Sequence, residues 1–490
     1  MKRILLGLLG LIGLVLIIAI VRTFAVSLPD AGTDGASADE RAINIDALAA
    51  AERLGEAIRF ETISTQFGRE ERREPFVQFA AWLEKTYPAF HRVASRETVS
   101  NYTLFYTWEG SDPSLEPILL MSHMDVVPVV PGTEGNWEEP PFSGKVADGF
   151  IWGRGTIDTK GSLVAILEGA EYLAGQGYQP RRTVHFAFGH DEELGGLFGD
   201  KKLAGLLKER GVRLHWVADE GGVLSEGLVP GVDVPVALVG VAEKGYVTLN
   251  LTARAQGGHS SMPPAETAIG RLARAIDRLQ NNQFPGAIEG TVAGMLDAIA
   301  PATPFVQRLA LTNRWLFGPL LDSTLTANPT TAAMMRTTIA PTMIDGGIKE
   351  NVLPPSVSAK VNFRIHPRDN VESIVAHVTR TIDDENVEVS VFNPGREASH
   401  VSSTESEGFE ILSRTIRDTF PGALVAPNLV VGGTDARYFE DVSDNVYRFI
   451  PIVLGKADTA RFHGTNERIT VDNMGKAVHF YVRLIERGSR

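Results

Sequence analysis

Hydrophobic positions follow three different rhythms along the chain. After Met1-Lys2-Arg3, residues 4–21 form an unbroken apolar run that ends at Arg22. As a helix, a run of that length nearly spans a bilayer and exceeds the apolar core of a usual signal peptide. Residues 45–58 then repeat with a helical period, and 161–173 do so again. Around that second helix lie short apolar runs at 117–121, 183–188 and 215–218, each followed by acidic, histidine or glycine residues. Apolar runs alternating with helices predict a mixed, mostly parallel α/β sheet with helices on both faces. Ligands bind outside the carboxyl ends of strands in such sheets, which is where each polar cluster falls.

Beyond residue 245 the period becomes two. At 246–254, 356–365 and 387–391, apolar and polar side chains alternate strictly, as in sheets with one buried face. Helices are expected at 263–279, with proline in the first turn, and at 370–382. The order β-α-β-β-α-β predicts a smaller α+β domain inserted into the first. The resulting division is 45–245 and 396–490 for the large domain and 246–395 for the insertion, in which 281–336 fits neither unit. Residues 1–27 form an anchor or signal, and 28–44, small and polar, a linker.

Composition narrows this picture. A chain of 490 residues is long for one core, which favours two folded units. Net charge is −13, with no long Lys/Arg run, so a general grip on nucleic acid phosphates is excluded. There is no cysteine, so any metal must be held by His, Asp and Glu. Lys2 and Arg3 favour a cytoplasmic N-terminus, which puts the rest outside, membrane-anchored in the periplasm or extracellular space. Ala25-Val26-Ser27 supplies small residues for cleavage, in which case the protein is secreted.

Five clusters carry chemistry. In Ser122-His123-Met124-Asp125, residues two apart in an extended segment share a side, so Asp125 can orient the His123 ring while its other nitrogen meets a metal. In Gly153-Arg154-Gly155-Thr156-Ile157-Asp158, glycines crowd an acid at the head of a helix, and one carboxylate can bridge two cations. The segment matches no phosphate-loop pattern. In His190-Asp191-Glu192-Glu193, one glutamate can bind metal while its neighbour moves a proton. Asp219-Glu220-Gly221-Gly222 follows another apolar run, and spacing alone leaves either acid open as a ligand. Far downstream, Arg461-Phe462-His463-Gly464-Thr465-Asn466-Glu467 adds a second histidine. Two histidines and three carboxylates suffice for two zinc ions sharing a bridge; manganese or cobalt also suit such donors.

The series SHMDVVPV, GRGTIDTKG, GHDEELGG, DEGG, GGHSSMPP, GGTDAR and HGTNE resembles, in order, the aminoacylase / carboxypeptidase S / glutamate carboxypeptidase family of di-zinc metallopeptidases. The resemblance runs from about residue 45 to 485, and its spacing is most similar to the carboxypeptidase S and N-fatty-acyl-amino-acid synthase/hydrolase branch. It implies that His123, Asp158 and Asp219 hold one zinc and that Asp158, Glu193 and His463 hold the other. Glu192 is then the general acid/base and Asp125 the partner of His123. His259 becomes a donor to the scissile carbonyl, often supplied by a dimer partner, while Arg364, Asn351 and Arg437 recognise substrate. The inserted domain is expected to act as a lid or dimerisation unit, giving a homodimer in some relatives. The implied reaction is hydrolysis of an amide beside a free carboxylate, in a short peptide or N-acyl amino acid, through a water acidified by two cations. With fatty acyl groups it would also run in reverse. Two other classes predict different features. A non-catalytic metal-binding module would lack the base, yet Glu192 is present; a serine hydrolase needs G-x-S-x-G, which is absent.

Overall fold

The computed structural model describes residues 2–27, 43–64 and 73–490, so the linker expected at 28–44 lies almost wholly outside them. The main sheet has eight strands. In spatial order they are Ala94–Val99, Thr103–Trp108, Val184–Gly189, Ile118–His123, Trp216–Ser225, Val446–Leu454, Val236–Glu243 and Leu424–Val430. The central pairings are parallel and the first two antiparallel, which makes a mixed, mostly parallel sheet. Ile118–His123 and Val184–Gly189 are buried at every position. Both faces are covered, and near-continuous apolar sequence is the result. Helices Ala47–Ile58, Lys160–Gly175 and Val471–Gly488 pack on one face. Asp200–Glu209 and the turn Asp435–Asp441 cover the other.

Strands Gly245–Arg254, Thr338–Asp345, Ser356–Ile365 and Val387–Val391 form a separate antiparallel sheet. Ser356–Ile365 alternates half-buried and buried positions without exception. Its inward side chains meet helices Ala268–Asn281 and Val371–Ile382 in a core of their own. The first of these helices starts later than the proline placement suggests. Thr267 Oγ1 accepts a hydrogen bond from Gly270 N at 3.1 Å and caps the helix, leaving Pro263 and Pro264 in the preceding turn.

Residues 290–335 correct the division at 246–395. Their helices, Gly290–Ile299, Phe305–Thr312, Arg314–Ala327 and Pro329–Met335, do not join the small sheet. Val292, Leu296 and Met335 pack with Val236, Leu424 and Ala426 of the main sheet. They cover Leu424–Val430, which would otherwise be an open edge strand. Lys244 Nζ fastens the last turn, donating to Ala333 O and Arg336 O at 2.8 Å each. At the other end of the chain, Lys2–Ala25 is a single helix. The most apolar 18-residue window within Arg3–Ala25 has mean hydropathy 3.2 and is almost entirely exposed within the protein.

Candidate metal centre

Four loops converge at the carboxyl ends of the parallel strands. His123 ends the strand Ile118–His123 and is buried. Its Nε2 lies 3.0 Å from Asp158 Oδ1 and 3.2 Å from Glu220 Oε1. The other oxygen of Asp158 lies 2.9 Å from His463 Nε2, which stands 3.3 Å from Glu193 Oε2. One carboxylate therefore faces a histidine with each oxygen. The two groups, His123–Asp158–Glu220 and Asp158–Glu193–His463, each keep their donor atoms within 4.8 Å of one another.

Asp219 does not join them, contrary to the expected ligand set. It turns to the far side of its strand, where it accepts from Ala436 N at 3.0 Å. Adjacent residues of a strand point to opposite faces, so the choice between Asp219 and Glu220 rests on which face meets His123. The structure gives that place to Glu220.

Backbone contacts hold the ligands in position. His123 Nδ1 lies 2.9 Å from Asp125 O and 3.3 Å from the Asp125 carboxylate. The two Asp125 oxygens also accept from Glu192 N and Glu193 N, each at 3.2 Å. The Asp125 carboxylate thus lies against His123, the contact expected of it, and also accepts from the turn that carries both glutamates, which was not expected. Glu467 does the same for the glycine-rich turn. Its Oε1 accepts from Gly155 N, Ile157 N and Asp158 N at 2.9, 2.8 and 3.2 Å. Its Oε2 accepts from Arg154 Nη1 at 2.6 Å. Glu243, buried between Arg448 and the loop 432–434, accepts from Thr434 N and Oγ1 at 2.8 Å each. Sequence reasoning assigned no role to Glu467 or Glu243, although HGTNE contains the first.

The electrostatics favour cations. Burial, reinforced by the Glu220 charge, pushes Glu192 well above the usual carboxylate range. Burial lifts Glu220 to about 8 against the pull of His123. His463 is raised to about 10 by its hydrogen bonds to Asp158 and Glu193. Burial opposes protonation of His123, but Glu220, Asp125 and Asp158 outweigh it and hold the ring well above its ordinary value. So much acid in one buried place either gathers protons or binds metal, and metal would reverse these shifts. Glu193 Oε1 is buried and has no hydrogen-bond partner, so it has a donor pair left for a cation. The donor set fits two divalent ions.

Asp158, Glu192, Glu193, Glu220 and His463 line a cavity of about 200 Å³ with Gly432, Gly433 and Val430. A wider cleft of about 480 Å³ beside Glu56, Phe60 and Trp82 contains no such cluster. The expected substrate residues sit apart from the cavity lining. His259 is exposed and pairs with Val352, which brings Asn351 beside it: Ser260 N donates to Asn351 O at 3.1 Å. The Arg364 guanidinium lies over the Tyr246 ring, 5.1 Å from its centroid. Arg437 is nearly buried and donates to Thr434 O at 2.5 Å and Gly195 O at 3.0 Å, which ties two cavity loops together. A further cation, Arg396, was missed because no motif surrounds it. A Cβ on Gly433 would fall 2.4 Å from Arg396 Nη2 and 3.1 Å from Arg437 Nη1, so both guanidiniums stand against the cavity wall at this glycine.

The sequence profile of Peptidase family M20/M25/M40 matches residues 119–487, and the chain belongs to this family of metal-dependent amide hydrolases. Among its relatives is the N-fatty-acyl-amino acid synthase/hydrolase PM20D1 of Xenopus tropicalis, 42% identical over 439 residues, 89% of this chain and 85% of that one. Carboxypeptidase S of Saccharomyces cerevisiae is 31% identical over 483 residues, 89% and 83% of the two chains. In fold the chain is similar to the M20 family metallo-carboxypeptidase Sso-CP2 of Sulfolobus solfataricus, with TM-score 0.63, 19% identity and coverage of 91% and 100%. The Bacillus subtilis protein YXEP, a dinuclear metal-binding peptidase of the M20 family, gives TM-score 0.56 at 15% identity, with coverage of 89% and 98%. A non-catalytic module is thereby set aside.

Proposed function

We propose that this chain hydrolyses the amide bond of N-acyl amino acids or short peptides with a free carboxylate. The observation that carries the reading is Asp158, whose two oxygens face His123 and His463 while Glu192 lines the same cavity. In this reading His123, Asp158 and Glu220 hold one divalent cation and Asp158, Glu193 and His463 the other. Zinc suits this N/O set, and manganese or cobalt would be accepted. Two such ions supply acidification of water and polarisation of the scissile carbonyl. Glu192 takes a proton from the attacking water and delivers it to the leaving nitrogen. Asp125 keeps His123 in one tautomer and the two glutamates in register. Arg396 and Arg437, on either side of Gly433, provide positive charge for the substrate carboxylate, with Arg364 beside Tyr246 as a third cation. His259 serves as donor to the carbonyl oxygen. Its exposed position fits delivery across a subunit boundary, and a homodimer through the small sheet belongs to this reading.

The apolar helix Lys2–Ala25 is read as an uncleaved anchor that holds the catalytic part outside the cytoplasm; cleavage after it would leave a secreted enzyme. Fatty N-acyl amino acids are the favoured substrates, supported by the PM20D1 relatives and a membrane-adjacent site. Where fatty acid and amino acid are abundant the same site accelerates condensation. The test is a panel of N-acyl amino acids varied in chain length and side chain, with and without chelator, on wild type and Glu192→Ala. The variant should keep its metal and lose about 10²- to 10⁴-fold in rate. Undiminished turnover, or activity indifferent to chelation, refutes the proposal.

A further inference from the structure

The helices that sequence periodicity left unplaced carry an exposed apolar face beside the anchor. Phe305–Thr312 packs directly on Lys2–Ala25. The Phe24 and Phe305 rings are 5.6 Å apart. Asn313 Nδ2 donates to Ala19 O at 3.0 Å and lies 3.3 Å from Thr23 Oγ1, and Thr23 and Thr312 hydroxyls are 3.3 Å apart. Ala19 and Thr23 are buried, whereas most of the anchor is exposed. This contact occupies the anchor's last two turns, where the apolar run ends at Val21-Arg22. At about 1.5 Å per residue, Ala19 lies about 3 Å inside that end and Phe24 about 5 Å beyond it. The helices therefore meet the anchor at the level where hydrocarbon gives way to headgroups.

At that level the outward face is apolar. Val306 is 76% exposed, Leu320 60%, Trp315 55% and Phe305 45%, with Leu316 beside them. From Phe305 to Leu321 there is no acidic residue, and the only charges are Arg308 and Arg314, although the whole chain carries −13. Tryptophan and aliphatic side chains exposed at that level are what an interfacial surface requires. Arg308 donates inward to Thr303 O and Arg314 pairs with Asp297, so neither arginine stands unpaired beside the apolar side chains.

We infer that the face formed by Phe305, Val306, Trp315, Leu316 and Leu320 docks into the lipid surface beside the anchor. The inference rests on the anchor reading for its placement and goes beyond it, because it assigns a second, peripheral contact to the catalytic body. The occupant is lipid because the face is continuous with a helix long and apolar enough to cross a bilayer. Docking fixes the tilt of the body over the membrane. Gly290–Ile299, in the same layer, packs on the strand Leu424–Val430, whose last residue lines the catalytic cavity.

The experiment uses the full chain reconstituted into phosphatidylcholine vesicles, with acyl chains brominated near the headgroup or left unbrominated. Wild type and Trp315→Phe are compared by tryptophan fluorescence, and alkaline carbonate extraction is run in parallel. The chain has six tryptophans. Bromination should quench the share of emission that Trp315→Phe removes and leave the remainder unchanged. A protein that resists carbonate yet shows no quenching of that share overturns docking and leaves the anchor standing. Trp315 shielded instead by concentration-dependent self-association also overturns it. Release by carbonate refutes the anchor reading alone, and quenching of Trp315 still decides docking.

Discussion

Glu467 provides the sharpest test of how the centre is held together. Its carboxylate is fully buried and accepts three backbone N–H bonds from the turn that carries Asp158, together with the buried Arg154 guanidinium. Glu467→Ala removes every one of these acceptors and leaves Arg154 charged and unpaired. Breaking a buried ion pair by deleting one partner costs about 3–5 kcal/mol. The three orphaned amides add to that cost, and water entering the gap offsets part of it. A net destabilisation of about 3–5 kcal/mol is expected, read as a lower urea midpoint in chelator-treated protein. Because the same turn positions the shared ligand, both cations should be lost together on gel filtration, measured by plasma mass spectrometry. Glu467→Gln keeps an acceptor oxygen and the side-chain shape but not the charge, so it should fall between wild type and alanine on both measures. An alanine variant with the wild-type midpoint and a full complement of two ions would refute the assigned role.

Three further outcomes are expected. Asp219→Asn should retain two ions, since asparagine can still accept from Ala436 N, whereas Glu220→Gln should bind one ion less tightly; the opposite pattern in metal titrations restores Asp219 as the ligand. Asp158→Asn should release both ions and abolish turnover, and a variant retaining one tightly bound ion would show that the carboxylate is no bridge. Burial holds His185 at about 4, below its ordinary 6.5, so the unfolded chain binds more protons between these values and stability falls as pH drops from 6.5 to 4. That window is worth about 3 kcal/mol; chemical unfolding at pH 7 and pH 4 should show His185→Gln losing correspondingly less, and equal losses would refute the cause.

The parts of this molecule that were legible in the sequence are those where one periodicity has one explanation. Ser356–Ile365 alternates because one side meets a core and the other does not, and the strand can be read directly. His123, Asp158, Glu193 and His463 were legible because each closes a strand or turn with its own polar signature. Glu220 was not. Choosing between two neighbouring acids needs the strand's rotation, which only the packed sheet supplies. Residues 290–335 defeated periodicity for another reason: their short helices bury side chains against Leu424 and Ala426, about 90 to 130 positions away, and expose others beside the anchor. Arg396 illustrates a third limit, since its relevance comes from Gly433, a neighbour in space alone.

His463 and Glu467 are contributed by the last thirty residues, and the helix Val471–Gly488 that follows them seals one face of the main sheet. A growing chain thus carries four of the five candidate liganding side chains long before His463 and the buried acceptor Glu467 arrive. The candidate centre therefore stays incomplete until the end of the chain has been made and packed against the main sheet.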